Sequence, residues 1–561
     1  MKGNIILIRR IVVFILVSFI FSSVYSFTDS KKDNLIQVLI LSGSNNHAWQ
    51  ETTPFIAKLF SESKMFLVEV TNHPDTLKKK DFDKFDVIVS NWNSWPDNDV
   101  RWPEEAESGL LKFIKEGGGF VTFHASNSAF YEWPDFKGIS TGAWLMDSTW
   151  HGKRSATRVM IKNNRHPITK GMSDFLIYDE LWVNTGKNEK FEVLGSATNE
   201  DISGKGIGKQ PAIFVSDYGR GRIFYTILGH DVRAMRNTGL QSLLLRGTEW
   251  AATGKVTQPI MRELQLVNKP KTHYKWLKTD STFALFNGKQ IIWRYNFNTK
   301  HGRPFFHPVY IGRNNITCVS PEDHSWHLGQ WFSWKYINRV NYWEYKKNTF
   351  QSEGITEIQN IEITTNPDFS AEIKIEIVYH PIKGENVLSE FRTIKVSSPQ
   401  KNGCIWMDYN FDFKAIAGTV KLDRTPIEGE PDGKSWGGYA GLSIRFNQDF
   451  MNSHFISSWN DNINGKTGDW LYMGFTGLDG KQVGSQIVND PHSIRDGAAW
   501  YSVNTNELPF YYFSPAFLYK KPLVLSKGEK IHLKYRILHL NGTMDNSKLN
   551  KEFNKYKNES Y

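Results

Sequence analysis

The stretch Gly117-Gly118-Gly119-Phe120-Val121-Thr122-Phe123-His124-Ala125-Ser126 constrains the fold most. Glycines turn the chain, a short and mostly apolar run follows, and the run stops abruptly at a histidine. A strand of this kind is buried on both faces, and it suits the interior of a parallel α/β sheet. Ligands gather in such sheets beyond the carboxyl ends of the strands. The flanking sequence supplies the rest of the sheet. Residues 35–41, 66–71 and 85–90 read as three more strands, and residues 51–63 and 104–116 as helices. The second helix has an acidic first turn and Gly117 beyond its end. Residues 212–216 and 222–228 flank Asp217-Tyr218-Gly219-Arg220-Gly221, a hairpin signal, and residues 238–252 read as a closing helix. Strand–helix alternation implies a parallel sheet with right-handed crossovers.

The polar residues fall where such a sheet would gather them. His47 follows the first strand, Asn91 and Trp92 the third, His124 the glycine-led strand, and His230 and Asp231 the last. His151 and the pair Asp179-Glu180 lie in intervening segments that could close over the site. We therefore take His47, His124, His151, Glu180, His230 and Asp231 as catalytic candidates, and Asn91 and Trp92 as substrate contacts. Imidazole with a pKa of about 6.5 serves as acid or base. It also suits Zn or Ni. No cofactor is required by the sequence, and no compact ligand spacing points to a metal, but a divalent ion is compatible with the set.

These motifs resemble the ThuA-like (trehalose utilisation) family over about residues 34–256. The resemblance is carried by the Ser-Gly loop with His47, Gly-Gly-Gly-Phe-Val-Thr-Phe-His124, His166-Pro167-Ile168-Thr169, Asp179-Glu180-Leu181, and Tyr218-Gly219-Arg220-Gly221 running into Gly229-His230-Asp231. It implies a flavodoxin-like sheet of the class I glutamine amidotransferase type, and a role in disaccharide or glycoside catabolism. True amidotransferases place a nucleophilic cysteine after the glycine-led strand. Here His124 stands there, and the only cysteines are Cys318 and Cys404, so thioester glutaminase chemistry is excluded.

Residues 257–279 read as a linker, and from residue 280 the pattern changes to alternating runs with few helices. Residues 358–364, 371–379, 389–396, 404–411, 441–446 and 530–537 read as strands of an antiparallel β-sandwich. His307, Asp323, His324, His327, Arg445 and His492 form a second candidate site. Trp326, Trp436 and Tyr439 are its expected sugar-stacking residues. This half is similar to the PmoA-like family over residues 280–540, on Arg303 to Pro308, Pro321 to Trp334, Trp436-Gly437-Gly438-Tyr439-Ala440-Gly441 and Pro515-Ala516-Phe517-Leu518. The resemblance implies a galactose-mutarotase-like supersandwich in which histidines and a carboxylate assist proton transfer at the anomeric centre of a sugar. Methane oxidation does not fit, since nothing clusters copper ligands.

Lys2, Arg9 and Arg10, the apolar run 11–21 and Val24-Tyr25-Ser26 read as a signal peptide over residues 1–26, so we expect an exported, periplasmic protein without a membrane span after removal of the leader. The formal charge of +10 is modest for 561 residues, part of it lies in a basic polar tail at 541–561, and no nucleic-acid motif occurs. Two cysteines allow at most one bridge. Two functions remain. One is a hydrolase or isomerase acting on a disaccharide or a modified sugar such as a 3-keto sugar. The other is a non-catalytic carbohydrate-binding accessory protein of a polysaccharide-degradation system.

Overall fold

The structure is a computed structural model that describes residues 35–97, 100–131, 133–186, 190–266, 273–297, 302–345, 349–459, 462–490 and 498–559. The leader at 1–26 and His492 lie outside the described residues. In the first domain nine strands make one sheet: β1 (Ile36–Leu41), β2 (Phe66–Thr71), β3 (Val87–Ser90), β4 (Gly119–Phe123), β5 (Ser155–Ile161), β6 (Phe175–Asp179), β7 (Glu192–Thr198), β8 (Gln210–Tyr218) and β9 (Gly221–Thr226). Their spatial order is β2-β1-β3-β4-β9-β8-β7-β5-β6. The first five of that order run parallel.

The remaining four strands run antiparallel, so the sheet is mixed rather than wholly parallel. The reason lies in residues 155–198, whose strands follow one another without a crossover helix. Antiparallel neighbours need only a turn between them. Helices α1 (Trp49–Glu62), α2 (Glu104–Lys115) and α3 (Thr238–Thr253) cover the parallel half. Helix α3 starts where the Asn237 side chain accepts from the N–H groups of Gly239 and Leu240, and it ends at Gly254 in the left-handed conformation. It packs so closely on β4 that a Cβ at Gly119 would stand 2.7 Å from the Ala251 carbonyl carbon. Only glycine fits the start of the central strand.

In the second domain a nine-stranded and an eight-stranded sheet share one apolar core, with a four-stranded sheet beside them. Burial alternates along Ala371–Pro381, where Ile373, Ile375, Ile377 and Tyr379 turn inward. Phe332, Phe411 and Phe413 meet at the centre. The sandwich begins at Tyr274–Lys278, within the segment read as a linker. Its end includes the residues read as a polar tail. Helix α4 (Asn546–Glu559) buries Leu549 and Tyr556 against the eight-stranded sheet, and Arg536 pairs with Glu559 at 2.7 Å. Cys318 and Cys404 are both free thiols.

The domains are joined by more than the connecting chain. The Leu176 N–H donates to the Leu478 carbonyl at 2.8 Å, and Arg313 donates to the Ser173 hydroxyl at 2.8 Å. Arg236 pairs with Glu322 at 2.8 Å. Arg154 bridges Asp231 at 2.7 Å and Glu507 at 2.9 Å. Among the described residues no helix is long and apolar enough to cross a membrane.

Candidate functional site

The carboxyl ends of β1, β4, β6 and β9 bring four donors together. The loop after β1 turns at Gly43, whose φ is +101° and where a Cβ would lie 2.0 Å from the Asn72 carbonyl oxygen. It is tied to the loop after β3 by the Asn93 N–H donating to the Ser44 carbonyl and the Ser44 hydroxyl donating to the Asn93 carbonyl, each at 2.9 Å. That tie presents His47. At the end of β4 the backbone breaks at His124, whose φ is +41°. A non-glycine residue in this region costs of order 1–3 kcal/mol and persists where surrounding structure holds it. Here the Nδ1–H of His124 donates to the Ile227 carbonyl at 2.8 Å.

After β9, Asp179 places His230. The buried Asp179 carboxylate accepts the N–H of Gly229 at 2.8 Å and of His230 at 3.1 Å. Asp231 accepts the Ala234 N–H at 2.9 Å and starts the short helix Val232–Met235. Glu180, next to Asp179, receives the Trp182 indole N–H at 3.0 Å.

The three imidazoles stack edge to face, with ring centres 4.8 Å apart for His47 and His124, 4.6 Å for His47 and His230, and 5.3 Å for His124 and His230. Glu180 lies 3.8 Å from the Nε2 of His124, 3.7 Å from the Nε2 of His230 and 3.1 Å from the Nδ1 of His151. One donor atom from each of His47, His124, Glu180 and His230 falls within 4.8 Å of the others. Three imidazoles and one carboxylate at this closeness could hold a divalent cation. His151 and Asp231 stand just outside it.

Burial, then the charges of His230 and His151, pushes His47 down to about 4. Burial, then His47 and His230, pushes His124 well below its ordinary value. Both are therefore neutral, with lone pairs to offer. Burial lowers His230 too, but Asp231, Glu180 and Asp179 outweigh it and raise the imidazole above its usual range. Burial disfavours the Asp231 carboxylate, yet the nearby His230 imidazole and bonds from Ala234 and Arg154 hold it well below the usual carboxylate range. Burial pushes Asp179 up to about 7, against the hydrogen bonds of Gly229 and His230.

Above this cluster is a pocket of about 180 Å³, lined among others by His47, Asn93, Trp95, Trp144, His151 and Trp182. Two expected contacts do not reach it. Trp92 is buried, stacked on Phe130 at 4.7 Å and packed against Trp102, because the chain after β3 turns it inward. The Asn91 amide donates to Thr52 and Thr53 on α1 and so ties the helix to the sheet. Asn93, two residues on, points to the pocket instead.

In the second domain, His324, Trp326, His327, Trp436 and Tyr439 share a pocket of about 560 Å³ with Trp343, Glu344, Tyr501, Val503, Phe510 and Tyr512. Asp323 and Arg445 stand behind it. Arg445 pairs with Asp323 at 2.6 Å, and Asp323 meets the Nδ1 of His324 at 3.2 Å. His307 does not join this pocket, since its Nδ1 is bonded to the Thr317 hydroxyl at 2.9 Å.

With this geometry in view, residues 37–251 match the model of the family described as trehalose utilisation, ThuA. The N-terminal half is a ThuA-like domain. Residues 283–554 match a family of unknown function, DUF6807, and the PmoA-like resemblance is not confirmed. No curated protein matches the chain. Among solved structures, a protein described as ThuA-like from Parabacteroides merdae is 29% identical, with 41% of this chain and 95% of that chain covered and a TM-score of 0.36. A second one described as ThuA-like, from Bacteroides uniformis, is 20% identical over 40% of this chain and 93% of that chain, with a TM-score of 0.31. A protein described as an aldose 1-epimerase, from Klebsiella pneumoniae, is 9% identical over 52% of this chain and 93% of that chain, with a TM-score of 0.24.

Several pocket residues of the ThuA-like domain carry no signal in single-sequence reading. Trp95, Tyr131, Trp144 and Trp182 lie in irregular or very short elements, where no periodicity says which way a ring points. The Asp179–Glu180 pair is different. It sits at a strand end; Glu180 is among the catalytic candidates above, whereas the backbone hydrogen bonds by which Asp179 positions His230 are visible only in the structure.

Proposed function

We propose that the ThuA-like domain is an enzyme, a hydrolase or isomerase that acts on a disaccharide or an oxidised sugar and holds a divalent cation on His47, His124, Glu180 and His230. The observation that carries the reading is the convergence of those four donors, two of which, His47 and Glu180, line an aromatic-walled pocket. A bound cation supplies Lewis acidity toward a carbonyl or a water. The chain's own groups do the rest. Trp95, Trp144 and Trp182 offer faces to a sugar ring, and Asn46 offers an amide to its hydroxyls, while Asn93 is held by the Ala125 carbonyl and the Trp95 N–H. His151, exposed at the rim, donates its Nδ1–H to the Gly152 carbonyl at 2.9 Å, which leaves its Nε2 to take a proton from substrate.

The family description, trehalose utilisation, supports a sugar as substrate. A binding-only protein gives no reason to gather three imidazoles around a carboxylate. Export is part of the same proposal, on the basic and apolar pattern of residues 1–26. The test is to incubate the purified protein, with added Zn or Ni and after chelation, with trehalose, other disaccharides and their 3-keto derivatives, and to follow products by mass spectrometry. Turnover that chelation abolishes supports the reading, and absence of turnover in the metal-loaded protein sinks it.

A further inference from the structure

The second domain's pocket shares no lining residue with the ThuA-like site. Its walls are mostly aromatic. His327 stacks on Tyr512 at 5.4 Å and on His324 at 4.8 Å, and Trp343 meets Tyr439 at 5.5 Å. Trp436 stands at the rim, 53% exposed. An exposed tryptophan beside a deep aromatic cavity is out of keeping with a purely structural role, since core packing would have turned the ring inward. Flat faces with a few polar groups between them match a pyranose, whose axial C–H groups make one apolar face and whose hydroxyls project at the edge. Trp326 Nε1 and His327 Nδ1, both buried at this wall, have no hydrogen-bond partner among the described residues.

The charges narrow the class. Among the described residues Glu344 is the only carboxylate lining the pocket, and none of them that lines it is a lysine or arginine. Lys335 and Asn341 bond Glu344 from behind, and the Tyr439 hydroxyl donates to it at 2.9 Å. Arg445 is screened from the cavity by the Phe510 ring, 3.7 Å away, and is engaged by Asp323. An acidic sugar would bring its carboxylate or sulfate toward Glu344 with no cation in the lining to receive it, which costs desolvation without compensation.

We propose that the second domain carries a binding site, independent of the histidine cluster, for the pyranose ring of an uncharged glycoside, gripped between Trp436, Tyr439 and Phe510 and hydrogen-bonded by Glu344 and His324. Glu344 accepts from ring hydroxyls, and the ring's apolar face rests on the tryptophan.

Tryptophan fluorescence tests this directly, because Trp326, Trp343 and Trp436 all line the pocket. Full-length protein is titrated with methyl glucoside, cellobiose and trehalose, and in parallel with glucuronic acid. Wild type, Trp436→Ala, Val503→Trp and His124→Ala are compared, with melting curves to show that each variant is folded. A saturable change with at least one neutral saccharide is expected. It should weaken tenfold or more in W436A, be blocked in V503W, and be unaltered in H124A, with glucuronic acid binding at least tenfold more weakly. Retention of binding in folded W436A and V503W, its loss in H124A, equal binding of glucuronic acid, or no saturable change with any neutral saccharide would each overturn the proposal. The H124A arm separates this site from the histidine cluster, so one reading can fail while the other stands.

Discussion

The Nδ1–H of His124 is bonded to the carbonyl of Ile227 at 2.8 Å, and its Nε2 faces Glu180 at 3.8 Å. A carbonyl can only accept, so the proton is fixed on Nδ1 and the lone pair on Nε2. This is the arrangement in which a backbone group orients an imidazole for a metal or a proton. The left-handed backbone at the same residue is what aims the ring inward from the end of β4.

Metal content follows from that geometry. Protein dialysed against Zn or Ni should carry about one ion per chain, as a closed set of three or four protein donors does. His124→Ala and His230→Ala should each lower the retained metal at least tenfold, while His151→Ala should not. Elemental mass spectrometry reads this without any substrate.

Asp179→Asn tests the carboxylate that positions His230. Both of its oxygens accept backbone N–H groups. An amide offers one acceptor oxygen, so one buried N–H is left facing an NH₂ group. The expected loss is about 1–3 kcal/mol of stability, together with weaker metal retention. Denaturant melts and metal titration check the two halves separately.

Trp92→Ala should behave as a core deletion. The ring is 7% exposed and packed on Phe130 and Trp102. A loss of about 3–5 kcal/mol is expected, with saccharide turnover per folded molecule unchanged. A selective rise in KM without a drop in stability would restore Trp92 as a substrate contact.

Acid sensitivity should come partly from His539. It lies in the sandwich core, between the Ser485 hydroxyl and the Gln330 amide oxygen, each at 2.8 Å, and burial pushes it down to about 3. Its folded value is below the unfolded one of about 6.5, so the unfolded chain binds more protons between these limits. The contribution is fully present above pH 6.5 and is lost as pH falls toward 3, at up to about 1.4 kcal/mol per pH unit. His539→Gln should melt lower at pH 7 but with a flatter pH dependence between 6.5 and 5, measured by thermal unfolding across that range.

Much of this was legible in the chain alone, and the boundary is physical. Buried parallel strands such as Val87–Ser90 announce themselves as apolar runs, and the histidines at their ends follow from the sheet's geometry. Residues 155–198 were opaque because partly buried antiparallel strands in mixed surroundings have no sustained alternation. Asn91 and Asn93 illustrate the finer limit. Both follow β3, and the side that each faces depends on the turn that Ser44 holds, a contact between residues 49 apart in the chain. The tail at 541–561 reads as polar because Leu549 and Tyr556 are separated by polar and charged residues. Two inward side chains were enough to seat the helix.

Arg154 has a consequence for how activity should be sought. One guanidinium holds Asp231, beside His230, and also Glu507, at the tip of a hairpin whose strands Ala499–Thr505 and Phe510–Ala516 wall the second pocket. An N-terminal half produced alone would lose the anchor on one side of that arginine and free it to swing, so silence from the isolated domain would say little about the intact protein. The two halves are best treated as a single inherited unit, since one shared side chain ties the rim of the first cavity to the hairpin beside the second.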